Sequence, residues 1–314
     1  MIDPIIPMQP TLVEQPFDDP GHTYQIKWDG VRMLAYLDGD GVRLVNRKLN
    51  DRTDVYPELQ ALKEQVQGRS AILDGEIVAL GEDGKPSFSG VLRRDLVKNT
   101  SKIRLLVRSQ PVFFMVFDLL YLDDAWLVDE PWNARQERLE RVLQVSQTVR
   151  VIDNFPSGTE LFRVMKEQGM EGIVAKEKQG RYLIGERSLT WKKIKNFRTI
   201  YAVVCGATLK MGFVNSLLLG VYHEGNLLFI GKAGSGLDNK DIQSLTKFAK
   251  QMGEQPSPFG QPVKLPRSSY DDLIYFPPQL VVEVQYMEWT SDMTLRAPTI
   301  QGFREMEAQL CVLT

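Results

Sequence analysis

The sequence predicts an α+β domain followed by a small β-barrel of the OB type, with the boundary at residue 197 (1–197 and 198–314). Two observations carry this. Up to about Arg198, short β-rich runs alternate with helical stretches. Beyond it, four short strands and one helix fill fewer than 120 residues.

The elements follow in order. Tyr24-Gln25-Ile26 is a strand end closed by the Asp29-Gly30 turn. Ala35-Tyr36-Leu37 and Val42 to Val45 flank Asp40-Gly41, and Ala71-Ile72-Leu73 and Ile77 to Leu80 are further strands. Pro131 to Val145 sets Trp132, Leu139, Val142 and Leu143 on roughly one helical face, with Pro131 suited to a first turn. Thr159 to Gln168 is a second helix, carrying Leu161, Phe162 and Met165, and Gly169 stands at its C-terminus. In the second part Tyr201 to Cys205, Leu217 to Tyr222, Leu227 to Ile230 and Leu280 to Tyr286 read as strands, and Asp241 to Met252 as a helix. Gln255 to Pro266, with four prolines, reads as an extended connection.

Composition narrows the class. The chain has 314 residues, enough for two domains and a sizeable core. No apolar run approaches the roughly 20 residues that span a bilayer. Met1 to Gln9 lacks a basic start followed by a long apolar core, so it does not read as a signal peptide. Cys205 and Cys311 are the only cysteines and His22 and His223 the only histidines, which fits a reducing cytoplasm and argues against structural zinc. A net charge of −2 argues against a protein that coats nucleic acid non-specifically. The charge is nonetheless uneven. Arg93, Arg94, Lys98, Lys102, Arg104 and Arg108 stand against Asp95 alone, and eight basic residues between Lys176 and Arg198 face only Glu177 and Glu186. Such segments suit contacts to nucleic-acid phosphates.

The chemistry centres on Lys27, in Lys27-Trp28-Asp29-Gly30-Val31-Arg32. An Asp-Gly turn directly after it holds the lysine at a strand end, facing a pocket. Lysine is a nucleophile only when deprotonated, which burial or neighbouring cations favour. Four segments follow in order: Leu73-Asp74-Gly75-Glu76, Val116-Phe117-Asp118, Glu171-Gly172-Ile173-Val174 and Trp191-Lys192-Lys193-Ile194-Lys195. Alternation puts Lys193 and Lys195 on one side of a strand. Each segment alone has a bland explanation as core or solvated face. Together they supply a nucleophile, cations for phosphate, carboxylates for a hydroxyl and a metal, and an aromatic plate for a base. Gly231-Lys232 imitates the end of a phosphate-binding loop, but five residues separate it from Gly225 and Ala233 stands where Ser or Thr is needed.

The series K-x-D-G, D-G-E, a phenylalanine-bearing strand, E-G-[IV]-[VM] and W-x-K-x-K resembles the covalent nucleotidyltransferases and, more closely, the ATP-dependent DNA ligases. Gly231 to Leu237, Val282 to Thr290 and Leu295-Arg296-Ala297-Pro298 resemble the ligase module of bacterial non-homologous end-joining DNA ligases. The resemblance runs from Met8 to about Glu305. It implies an ATP-grasp-like adenylation domain of antiparallel sheets and helices before the OB-fold barrel. It also implies ATP and Mg²⁺ or Mn²⁺ as cofactors, and a nicked or broken duplex DNA substrate. A Ku-type end-binding partner, a cytoplasmic location without membrane contact and a monomer complete the expectation.

Residue by residue, the resemblance gives Lys27 the adenylate. Asp29 and Arg32 orient the lysine and contact phosphate or the nick, while Gln25 and Ile26 meet the adenine edge. Arg47 contacts ribose or phosphate, Glu76 the ribose hydroxyl, and Phe117 stacks on adenine. Glu171 faces the metal, Lys193 and Lys195 the α-phosphate, and Arg296 the nucleotide. Three departures stand out. Lys48-Leu49 follows Arg47 where the family has Asn-Gly, which predicts a differently shaped loop. Gln25 replaces the usual Glu. Arg304-Glu305-Met306-Glu307 replaces Arg-Glu-Asp-Lys, which predicts self-adenylation slower than sealing of pre-adenylated DNA. An RNA ligase or capping guanylyltransferase would share the lysine chemistry but not usually this second domain. An NAD⁺-dependent ligase would bring an extra N-terminal module and a zinc region. A non-catalytic OB-type binder would take no covalent label from ATP.

Overall fold

In a computed structural model, which describes residues 2–253, 255–263, 265, 270–290 and 292–313, the chain divides into two compact units, Met1–Asn196 and Phe197–Thr314. The first unit runs β1 (Gln9–Val13), β2 (His22–Ile26), β3 (Val31–Asp38), β4 (Gly41–Asn46), α1 (Leu62–Gln65), β5 (Ala71–Ala79), α2 (Phe88–Asp95), α3 (Thr100–Ser109) and β6 (Val112–Leu122). It continues with β7 (Ala125–Trp126), α4 (Trp132–Val142), β8 (Val149–Val151), α5 (Gly158–Glu167), β9 (Gly172–Glu177) and β10 (Arg187–Lys195). Two sheets form, in the orders β1-β10-β9-β2 and β4-β3-β5-β6-β7, with β8 beside β6. Pairing is antiparallel except for β1 on β10 and β8 on β6.

The larger sheet is buried on both faces, which is why its strands read as nearly continuous apolar runs. Met33, Ala35 and Leu37 join Leu73, Ile77, Val91 and Leu139 in one core. Leu34, Tyr36 and Ile72, on the opposite face, pack on Met8, Tyr182 and Trp191, so the two sheets face each other. The outer face of the smaller sheet, Tyr24, Ile173, Ala175 and Ile194, receives Leu161 and Met165 of α5. Ser157 caps α5 by accepting from Glu160 N–H, and Gly169 leaves it at φ 69°.

The second unit contains β11 (Arg198–Lys210), β12 (Phe213–His223), β13 (Asn226–Ala233), α6 (Asn239–Met252), β14 (Asp272–Tyr286) and β15 (Thr299–Arg304), in the sheet order β13-β12-β11-β14-β15. Register shifts along all four pairings bend this sheet. Leu295 N–H donates to Ile230 C=O at 2.8 Å and Ile300 N–H to Ser235 C=O at 2.9 Å, which brings residues of its two ends together. The result is a curled half-barrel whose core includes Val204, Leu219, Val282 and Ile300 with Leu245 and Ala249 of α6. A reciprocal Asp238/Asp241 cap starts α6. The described part of 255–266 carries neither helix nor strand, and Lys264 and Pro266 lie outside the described residues. Among the described residues no helix is long and apolar enough to cross a membrane.

Candidate active site

Lys27 stands one residue beyond β2, its N–H bonded to Gly172 C=O at 3.0 Å. The glycines around it are steric necessities. A Cβ on Gly30 would lie 2.2 Å from Ile77 O, and one on Gly172, at φ 138°, 2.1 Å from Ile194 O. Strand β9 therefore presses against β10 where Lys195 pairs with Gly172. This brings three motif residues into contact. Lys27 Nζ lies 2.7 Å from Glu171 Oε2, and Lys195 Nζ lies 3.4 Å from Glu171 Oε1. Lys193 has its pKa lowered, by burial first and then by Lys195, Lys27 and Arg187, with Glu171 opposing.

Glu76 comes from β5, opposite Arg32 on β3 and Met115 on β6. Its carboxyl is pushed up to about 8: burial dominates, Lys27 and Arg32 pull it down, and Glu171 and Asp74 push it further up. Arg32 is engaged within the protein. It donates from Nε to Asp74 Oδ1 at 2.9 Å, from Nη2 to Asp74 Oδ2 at 2.5 Å and from Nη1 to Met8 C=O at 2.6 Å. Tyr182 hydroxyl donates to Asp74 Oδ2 at 2.7 Å and accepts from Met8 N–H and Arg32 Nη2. Arg32 thus serves first as a tie between the sheets.

Phe117, half-buried on β6, meets Trp191 edge-on with centroids 5.8 Å apart. Lys176 Nζ sits 4.5 Å from the Phe117 ring centroid and 4.1 Å from that of Trp191, and donates to Phe117 C=O at 3.0 Å. Burial lowers the Lys176 ammonium to about 7, with Asp118 and Asp74 opposing and Arg32 and Arg135 assisting. Asp74 and Tyr182 escaped the sequence reading, and Lys176, counted there in a basic segment suited to nucleic-acid phosphates, is instead buried. Asp74 sits inside the D-G-E motif, whereas nothing local marks Tyr182.

The remaining expected residues are more dispersed. Asp29 lies in the turn between β2 and β3. Gln25 is 2% exposed and donates from Nε2 to Asn154 Oδ1 at 2.8 Å. Ile26 lines a cavity of about 530 Å³ with Trp28, Met115, Ile152, Asp153 and Asn154. Arg47 is exposed on the turn after β4. That turn corrects the expectation of a reshaped loop built on avoiding φ > 0, because Leu49 itself adopts φ 61°, with Asn46 Oδ1 accepting from Lys48 and Asn50 N–H. In the second unit Arg296 Nη1 pairs with Glu288 Oε1 at 2.8 Å, and Arg304 with Glu283.

Among the described residues no three His, Cys, Asp or Glu cluster as a metal site. Glu171, with its two oxygens facing two ammonium groups, still fits Mg²⁺ or Mn²⁺, which bind through one or two carboxylates plus phosphate and water oxygens.

Comparison with known proteins gives the family. Residues 11–195 match the model of the ATP dependent DNA ligase domain, and residues 210–307 that of the ATP dependent DNA ligase C terminal region. The chain belongs to the ATP-dependent DNA ligase family. It is 34% identical over 286 residues to the multifunctional non-homologous end joining DNA repair protein LigD of Mycobacterium tuberculosis, covering 90% of this chain and 36% of LigD. It is 30% identical over 302 residues to the DNA ligase of Thermococcus fumicolans, covering 90% of this chain and 51% of that protein. The crystal structure of the ligase domain of M. tuberculosis LigD superposes with a TM-score of 0.54 at 30% identity, over 99% of this chain and 98% of that domain. The chain thus spans about a third to a half of the length of these two full-length relatives.

Proposed function

We propose that this chain seals 5′-phosphate/3′-hydroxyl breaks in duplex DNA using ATP, through an adenylate on Lys27. The observation that carries it is the Lys27–Glu171–Lys195 bridge, a candidate nucleophile and a candidate phosphate-binding cation sharing one carboxylate. In the first step the Lys27 amine, having lost its proton, attacks the α-phosphorus. An N–P bond forms, the bond from the α-phosphorus to the bridging oxygen breaks and pyrophosphate leaves. Lys193 and Lys195 meet the charge that gathers on the phosphate oxygens. A divalent cation held by Glu171 would supply further neutralisation there. The 5′-phosphate of the break then takes the adenylyl group from Lys27, and the 3′-hydroxyl attacks that phosphate and releases AMP. Holding the reacting groups in line supplies much of the acceleration.

Likeness to a protein named for non-homologous end joining supports work in end joining; a Ku-type end-binding partner, a cytoplasmic location and a monomeric state belong to the same proposal. The Arg304 to Glu307 run supports self-adenylation slower than sealing of pre-adenylated DNA. The decisive experiment is incubation with α-³²P-ATP and Mg²⁺ after stripping with pyrophosphate, followed by a denaturing gel. An acid-labile label that Lys27→Ala abolishes is the expected result. A label that survives Lys27→Ala, or none at all, overturns the reading.

A further inference from the structure

We propose that Asn196 is a positioning residue for adenylate formation, holding the Glu171 carboxylate between Lys27 and Lys195. The inference rests on the reading that Lys27 takes the adenylyl group from ATP. Asn196 directly follows β10 and is 8% exposed. Its backbone N–H donates to Glu171 C=O at 2.9 Å, and its side-chain Nδ2 donates to Met170 C=O at 3.2 Å. The next carbonyl, Gly172 C=O, accepts from Lys27 N–H at 3.0 Å. Three consecutive carbonyls are thus engaged, two of them by one residue.

The direction of the Glu171 side chain is set by the two peptide planes that flank its Cα. Those planes carry the carbonyls of Met170 and Glu171, and Asn196 holds both. The hold matters because Glu171 stands between two glycines in conformations that favour glycine: Gly169 closes α5 at φ 69° and Gly172 opens β9 at φ 138°. Gly169 N–H and Met170 N–H are tied back to Lys166 C=O and Met165 C=O, at 3.1 and 2.9 Å, which anchors the helix side only. The Met170 carbonyl itself turns to Asn196. An aspartate of the same size could not replace the amide, since it has no hydrogen to give. The Glu171 oxygens lie 2.7 Å from Lys27 Nζ and 3.4 Å from Lys195 Nζ, so a swivel of this backbone disturbs both contacts at once. A misplacement of about 1 Å in such a site can cost about 100-fold in rate.

The test is single-turnover labelling of the full chain with α-³²P-ATP, after stripping with pyrophosphate, across a concentration series. Asn196→Asp keeps the volume but sets an acceptor against the Met170 carbonyl. Its saturating rate should fall at least about tenfold while KM for ATP stays within about threefold of wild type. Asn196→Ala, which adds no charge, should move the rate in the same direction. The discriminating comparison repeats both substitutions in the Glu171→Gln background. With the carboxylate gone, either one should change the rate by less than about twofold, whereas a residue that only supports the fold would cost the same factor in both backgrounds. Equal factors, or wild-type saturating rates in both single variants, overturn this inference alone. A wild type that takes no label overturns the adenylation reading and this inference with it.

Discussion

Lys27 Nζ lies 2.7 Å from Glu171 Oε2, and the Glu171 side chain is only 7% exposed. The lysine that should attack a phosphorus is held as one half of a salt bridge, and Lys195 occupies the other oxygen of the same carboxylate. The site is assembled with its charges matched internally, and an incoming phosphate must compete with Glu171 for both cations.

Glu171→Gln should accordingly act on chemistry more than on folding. It leaves two ammonium groups facing a neutral amide in a partly dry cleft, a loss of about 1–2 kcal/mol by thermal or urea melts. Lysyl-adenylate formation should drop by at least about 100-fold, since the phosphate site loses its organising carboxylate. Equal labelling rates for variant and wild type would reduce Glu171 to a structural counter-ion.

Asp74 should behave in the opposite sense. Its carboxylate is fully buried, takes two hydrogen bonds from Arg32 and one from Tyr182, and so ties the larger sheet to the segment that connects β9 and β10. Asp74→Asn strands a buried guanidinium, and breaking such a pair costs about 3–5 kcal/mol. A urea midpoint that falls with unchanged slope is the expected signature. A loss below about 1 kcal/mol would mean that Arg32 finds a substitute acceptor.

A half-buried carboxyl and a buried ammonium give stability an opposed dependence on pH. The Glu76 pKa is raised from 4.5 to about 8, so its contribution is complete below pH 4.5 and is lost as pH rises through 8. The Lys176 pKa is lowered from 10.5 to about 7, so its contribution is complete above 10.5 and is lost as pH falls through 7. Glu76→Gln should raise the Tm at pH 8.5 by several degrees and leave it unchanged near pH 4, because on the order of 1–3 kcal/mol is at stake. Lys176→Met should gain more at pH 6 than at pH 10. Either variant showing the reverse order would contradict the assigned shifts.

How far the sequence revealed these features depended on how local their causes are. The juxtaposition of Lys27, Glu171 and Lys195 was legible because Lys27 ends a strand just before the Asp29-Gly30 turn, Glu171 sits beside Gly172 and Lys195 lies on an alternating strand. The helices α2 and α3 were not. Their inward side includes Arg94, whose guanidinium is fully buried and donates to Val55 C=O, Gln110 C=O and Glu58, and a cation at a core position breaks the apolar period. Arg94 thereby leaves the basic surface to which its charge had assigned it. Strand β15 escaped because only Ile300 and Phe303 among its six residues are large and apolar. Tyr182 reaches Asp74 across 108 residues and Met8 across 174, a distance no local pattern encodes.

Leu49 gives a backbone test. A leucine at φ 61° sits where L-residues lose about 1–2 kcal/mol, and its side chain is 44% exposed, so packing recovers little. Leu49→Gly should raise stability by about 0.5–1 kcal/mol after the entropy that glycine adds to the unfolded chain. Leu49→Val should lower it. A stabilising valine would mean that the turn changes shape in the variant.

The exposed cations on and just before α3 distinguish a DNA-facing surface from a merely solvated one. Elsewhere in the first unit exposed arginines find carboxylates: Arg163 bridges Glu160 and Glu167, Arg141 meets Glu137 and Arg138 meets Glu130. Lys98, Lys102, Arg104 and Arg108 are exposed, and the sequence between Asp95 and Asp118 holds no acid to pair with them. Arg104 borders a cavity also lined by Asp38, Asp40 and Asp54, so its share in binding phosphate should be the smallest. Each phosphate contact adds about 0.9 to the slope of log K against log salt. The Lys98→Ala, Lys102→Ala, Arg108→Ala triple variant should therefore bind nicked duplex more weakly at 50 mM salt with a slope shallower by about 2 to 3, while Lys27 labelling from ATP stays unchanged. Because all three side chains are exposed, folding should be intact, and an unaltered slope would return α3 to the status of a solvated face.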